Sequence, residues 1–292
     1  MGGDKLGSRM TYGNYLQLDK LLTLQSGPDG HDPLPSNHEM HFIVVHQAFE
    51  LWFKQINREL EDTLQLMNND EIDETNIPVI VRHLERCSEI FRLLASQWKV
   101  METLSPQDFL AFRDRLGTSS GFESWQLRTL EMLLGLKSEQ RIGGMDPMEH
   151  NKKLHSEGKL SDEVMANMER IATLPSLYDV LLRWLERTPV NGVSGDKEVM
   201  TEFVESHISS MIEHGEKVIA HMVKIGHGDE EIIRPRITAG IDAAREFLLP
   251  SGEVSFSRAG LLFIESYREL PLLSWPRTVS YTHLRAHETS NH

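Results

Sequence analysis

Apolar residues recur along this chain at steps of three and four, the spacing of one face of a helix. From Ile77, the positions Ile77, Ile80, Leu84, Cys87, Phe91, Leu94, Trp98 and Met101 form such a stripe. Upstream, FIVVHQAFELWFKQ at residues 42–55 opens a second stripe of Val45, Phe49, Trp52, Ile56, Leu60 and Leu64. Start and stop signals divide the remainder. Ser105 and Pro106 supply an N-cap and a proline at the first helical position, Asp108 sits in the first turn, and Gly117 closes that short helix. GFESWQLRTLEMLLG predicts the next helix, ending at Gly135. Asp146-Pro147 and Ser161-Asp162 read as further starts, and PSLYDVLLRWLERT as another amphipathic helix. Residues 190–195 form a glycine-containing loop, residues 196–225 are helical, and Gly226 to Gly228 break that helix. No segment alternates like a strand between hairpin turns, and no repeat is present. The pattern predicts an all-α fold.

Composition narrows the class. The 292 residues are 39% apolar and 25% charged, ordinary values for a soluble globular protein. A net charge of -14 repels phosphate backbones, so neither nucleic acid nor an anionic membrane is an expected partner. The single cysteine, Cys87, excludes an intrachain disulfide and a cysteine-held metal. MGGDKLGSRM lacks the apolar core of a secretory signal, and no apolar run approaches the ~20 residues of a membrane span. A soluble cytoplasmic protein is expected.

Several side chains stand out for chemistry. His46 lies in a strongly apolar helix and shares a face with Phe42, Phe49 and Phe53. A histidine so placed can orient an aromatic ligand through a ring nitrogen, or it can be a core histidine bonded to a backbone carbonyl. Arg113 follows Phe109 by one turn; its guanidinium can clamp a carboxylate bidentately, or pair with an acidic neighbour on another element. GTSSG at residues 117–121, directly behind it, is either an anion-friendly turn or a plain helix connection. His207, His214 and His221 recur every seven residues, ~10.5 Å apart on a helix and too far to share one metal ion. His38 and His41 are closer but have no nearby third ligand. No P-loop, dinucleotide fingerprint or nucleophile elbow occurs.

Four blocks, TYGNYLQLDKLL, HEMHFIVVHQAFELWFKQ, QWKVMETLSPQDFLAFRDRLGTSSGFES and LRTLEMLLG, resemble the haem-dependent tryptophan 2,3-dioxygenases in order. A weaker match, LFIESYRELPLLSWPR, extends the resemblance to Arg277. It implies a helical haem-dioxygenase fold and a homotetramer with haem b as cofactor. It also implies cleavage of the indole 2,3-bond of L-tryptophan by O2 to N-formylkynurenine, the first step of the kynurenine pathway. By the same resemblance, His46 matches the distal histidine that bonds the indole N–H, and Phe42 a wall beside the indole. Arg113 matches the carboxylate clamp, and Tyr12 and Tyr15 match tyrosines contributed by a neighbouring subunit. Trp98, Phe109 and Ser120 fall beside the cofactor, Ser120 near a propionate. Phe109 and Leu127 stand where the family often has tyrosine. The alternatives are a haem oxygenase of another indole, or a cofactor-free helical interaction protein.

The end of the chain departs from that pattern. VSYTHLRAHET at residues 279–289 resembles a translated sequencing adapter, so residues 1–277 are expected to be the dioxygenase-like domain and 278–292 a non-native tail. The family's R-x-R-H helix, with the proximal haem histidine, and its GTGGSSG loop do not occur. No metal-ligating residue is therefore assigned. The chain as written is expected to bind haem weakly if at all, and to be inactive.

Overall fold

The computed structural model describes residues 10–26 and 34–266. The final part of the LFIESYRELPLLSWPR block and the whole of the adapter-like tail lie outside the described residues. Twelve α-helices occur among those described: α1 (Tyr12–Leu16), α2 (Leu18–Leu21), α3 (Asn37–Met67), α4 (Ile77–Met101), α5 (Pro106–Leu110), α6 (Trp125–Leu134), α7 (Pro147–Ser156), α8 (Asp162–Ala172), α9 (Leu177–Glu186), α10 (Lys197–Lys224), α11 (Glu230–Leu248) and α12 (Phe256–Ser266). No strand is found among the described residues, where Val190 and Val193 form an isolated β-bridge. The all-α expectation holds.

Local chemistry explains several boundaries. The Ser105 hydroxyl accepts from Asp108 N–H and starts α5. Ser176 and Asp179 form a reciprocal capping box on α9, and the Asp196 carboxylate accepts from Glu198 and Val199 N–H at the start of α10. Gly135, with φ of 86°, ends α6 in the left-handed conformation, and Leu136 N–H turns back to Glu131 O. Two expectations change. The short helix expected up to Gly117 stops at Leu110, and residues 113–116 continue as a 3₁₀ turn. The helix expected from Gly121 begins as a 3₁₀ turn at 121–123, and α6 proper starts at Trp125.

The stripe on α3 packs inward at Val45, Phe49, Ile56, Leu60 and Leu64, whereas Trp52 is only half-buried. On α4 the buried set is Ile80, Cys87, Ile90 and Leu94; Phe91 and Trp98, which the periodicity assigned to the same stripe, are exposed. Steps of three and four admit more than one apolar arc on a helix, and α4 buries Ile90 rather than Phe91.

The chain divides into two compact units, one of residues 1–58, 86–130 and 147–166, the other of 59–85, 131–146 and 167–292. The second is organised around Val190, Met200, Val204, Ile208, Leu248, Leu249, Val254 and Ala259. Full burial of each large apolar side chain there contributes ~1.5–3 kcal/mol. Within it α12 approaches α9 tightly at Gly260, where an added Cβ would collide with the Leu185 carbonyl and lie 3.2 Å from Thr188 Cβ. Backbone cannot yield as a flexible side chain can. Gly260→Ala is therefore expected to destabilise by about 1–3 kcal/mol, read as a lower denaturant midpoint at unchanged slope.

Candidate active site

The aromatic cluster belongs to the first unit and is built from α3, α4 and α5. Phe42, His46, Phe49 and Phe53 fall within a narrow arc of α3 because their spacing follows the helical repeat. The Phe42 and His46 rings lie 4.0 Å apart, and Phe49 stands 5.0 Å from Trp98 of α4. Phe109 of α5 approaches Phe42 at 5.8 Å. Phe112, which the sequence reading did not single out, is buried between them, 5.5 Å from Phe42 and 5.4 Å from Phe109. Its spacing of three from Phe109 was the signal that could have found it.

His46 Nδ1 lies 2.8 Å from the Phe42 carbonyl. A carbonyl only accepts, so Nδ1 carries the hydrogen, and in the neutral ring Nε2 keeps a lone pair. The backbone-bonded histidine and the ligand-meeting histidine are thus the same arrangement. One nitrogen is anchored, and the other is left as an acceptor. Gln97 of α4 donates to the Val45 carbonyl at 3.0 Å, fixing α3 against α4 one residue before His46.

Among the described residues, Arg113 takes no acidic partner from another element. Its Nη1 donates to the Gly117 carbonyl at 2.8 Å, tying it to the turn that follows. The buried acidic partner belongs instead to Arg115, whose Nη1 meets Glu39 at 2.8 Å, with Glu39 3% exposed. No sequence signal links residues 76 positions apart. Ser120 is exposed and caps the 3₁₀ turn by accepting from Phe122 N–H at 3.3 Å. Lys159 reaches that turn at Glu123, 2.9 Å away, and Glu123 followed by Glu157 holds its ammonium above the usual lysine range. Ring contacts thus join Phe42 to His46, Phe109 and Phe112, and separately join Phe49 to Phe53 and Trp98; the shared face of α3 relates the two groups. Tyr12 and Tyr15, 77% and 75% exposed on α1, are not packed into either group. Leu127 lies on α6, half-buried. His207, His214 and His221 run along α10, the first half-buried and the others exposed.

A planar macrocycle with carboxylate arms requires an open apolar wall and nearby polar groups. Trp98 is 54% exposed while its ring rests at a tilt of 44° against the buried Phe49, which provides such a wall. Hydroxyls at Ser119 and Ser120 lie on the exposed turn. Residues of the cluster thus fit one face of a haem. A groove of about 720 Å³ lined by Ala48, Leu51, Trp52, Gln55, Arg86, Glu89, Ile90 and Leu93 lies elsewhere. Of its α3 residues, Leu51 and Gln55 fall on the opposite side of the helix from Phe42, His46 and Phe49, with Ala48 and Trp52 on the flank between. The cluster, not this groove, carries groups suited to catalysis.

A histidine anchored through Nδ1 among aromatic rings, with an arginine on the 113–116 turn after α5, is an arrangement able to meet an aromatic ligand. Residues 2–279 match the family model described as tryptophan 2,3-dioxygenase, and the chain belongs to that family. It is 37% identical to the tryptophan 2,3-dioxygenase of Sorangium cellulosum, over 95% of this chain and 70% of that protein. Tryptophan 2,3-dioxygenase 2 of Ralstonia nicotianae is 36% identical, over 92% of this chain and 76% of its own length. The tryptophan 2,3-dioxygenase of Anopheles gambiae is 37% identical, over 94% and 71%.

Removing the guanidinium in Arg115→Met strands the buried Glu39 carboxylate. The variant is expected to lose roughly 2–4 kcal/mol of stability, measured by reversible chemical unfolding.

Proposed function

We propose that this protein is a haem-dependent dioxygenase that cleaves the indole 2,3-bond of L-tryptophan with O2, giving N-formylkynurenine. Family membership supports the reaction, and the observation that carries the substrate is the orientation of His46. Its Nε2 lone pair accepts the indole N–H, while Nδ1–H remains on the Phe42 carbonyl. Phe42 lies against the indole face, with Phe109 and Phe112 behind it. Arg113 spends one of its five N–H donors on Gly117, which leaves the rest of the fork for the substrate carboxylate. His46 acts by positioning; holding the reacting atoms in register supplies much of the acceleration in such a site.

Trp98, Phe109 and Ser120 would hold the haem, Trp98 at its plane and Ser120 at a propionate. When bound, haem supplies the binding and activation of O2. The assembly we propose is a homotetramer in the cytoplasm. Two features favour association between copies: the exposed Tyr12 and Tyr15, suited to a neighbouring subunit's pocket, and the largely apolar groove between α3 and α4. No helix among the described residues is long and apolar enough to cross a membrane. The relatives do not favour another indole substrate or a cofactor-free interaction protein.

Turnover is read on the protein expressed from its own locus, with reduced haem, O2 and L-tryptophan; absence of N-formylkynurenine overturns the reading. Ligand binding separates the roles. Arg113→Gln is expected to weaken L-tryptophan roughly 10- to 100-fold, the loss of a charge-assisted pair, and to leave indole unchanged. His46→Ala is expected to weaken both.

A further inference from the structure

Three tethers converge on the turn at residues 117–123. From within, Arg113 Nη1 donates to Gly117 O at 2.8 Å, and Gly117 adopts φ of 55° and ψ of -129°, a conformation open to glycine. From α7, His150 Nε2 lies 3.1 Å from the Phe122 carbonyl, so that nitrogen is the donor. From the segment after α7, Lys159 Nζ meets Glu123 Oε1 at 2.9 Å and Glu157 Oε2 at 3.2 Å.

The Lys159 backbone is itself fixed. Gly158, with φ of 73°, ends α7 in the left-handed conformation, and Lys159 N–H turns back to Leu154 O at 2.9 Å. That end of α7 is anchored by Leu154, which is 4% exposed. The lysine therefore reaches the turn from a defined point rather than from a free loop. Its partner, Glu123, is the last residue of the 3₁₀ turn that Ser120 caps.

We infer that Lys159, assisted by His150, is a positioning residue for Arg113. It holds the 117–123 turn so that the Gly117 carbonyl aims the guanidinium at the substrate carboxylate. The inference rests on the proposed function for the carboxylate, but the tether itself does not. It makes Lys159 a determinant of specificity for amino-acid over carboxylate-free indoles, although it touches neither substrate nor cofactor. Nothing about Lys159 in the sequence signals this, since Glu123 lies 36 positions away.

The test uses the haem-loaded protein expressed from its own locus, as wild type and as Lys159→Gln, Lys159→Arg, Glu123→Gln and the double Lys159→Gln/Glu123→Gln. Amide hydrogen exchange over residues 113–123 is the first readout, and affinities for L-tryptophan and for indole are the second. Lys159→Gln is expected to speed exchange in the turn and to weaken L-tryptophan about two- to fivefold, the range of a partly exposed ion pair, with indole unchanged. Lys159→Arg should restore both. The double variant should be no worse than either single, as for two partners of one interaction. Unchanged exchange in Lys159→Gln overturns the tether. Equal weakening of tryptophan and indole reduces Lys159 to a structural role and overturns the specificity claim. A wild-type chain that binds neither ligand overturns the proposed function, and the exchange data still decide the tether.

Discussion

The helical repeat of α3 is the constraint on which the site depends. Residues 42, 46, 49 and 53 fall within one arc of the helix, so an imidazole and three phenyl rings share a face. The carbonyl that anchors His46 is that of the residue four positions earlier, the acceptor its own backbone N–H uses in a regular helix. A carbonyl oxygen has two lone pairs and serves both. The tautomer of the ring is thereby set by secondary structure, with no remote partner needed.

The segment carrying Arg113, the proposed carboxylate clamp, is built differently. Arg113 sits on a four-residue 3₁₀ turn, too short to orient a long side chain by itself. Its direction comes from Gly117, and the turn containing Gly117 is tied down by groups on and just after α7. A regular helix holds the proposed histidine contact, and a tethered loop holds the proposed carboxylate clamp. That division suits a site where the ring nitrogen must be fixed and the carboxylate clamp must admit a ligand.

Several features were legible because they rest on short-range chemistry. Proline and serine at positions 105 and 106, the capping aspartate at 196 and the glycine at 135 act within a few residues, and their helix ends fall where such local rules place them. Residue types in order single out His46, Phe42, Phe109 and Arg113 as candidates, and the structure adds the ring contacts among the first three and the Gly117 contact of Arg113. Less legible was which of two apolar arcs faces inward. On α4, Phe91 and Ile90 are both apolar, and only the neighbouring surfaces determine that Ile90 is buried.

What the sequence determined by itself was the helical class, the main helix boundaries and the family. Tertiary structure decided how the candidate side chains are held. The pairing of Glu39 with Arg115, the wedge of Phe112 and the reach of Lys159 to Glu123 join residues remote in sequence or angled by packing. Periodicity and capping carry information over a turn or two of helix. Contacts across longer separations depend on where whole elements come to rest, and no local pattern encodes that.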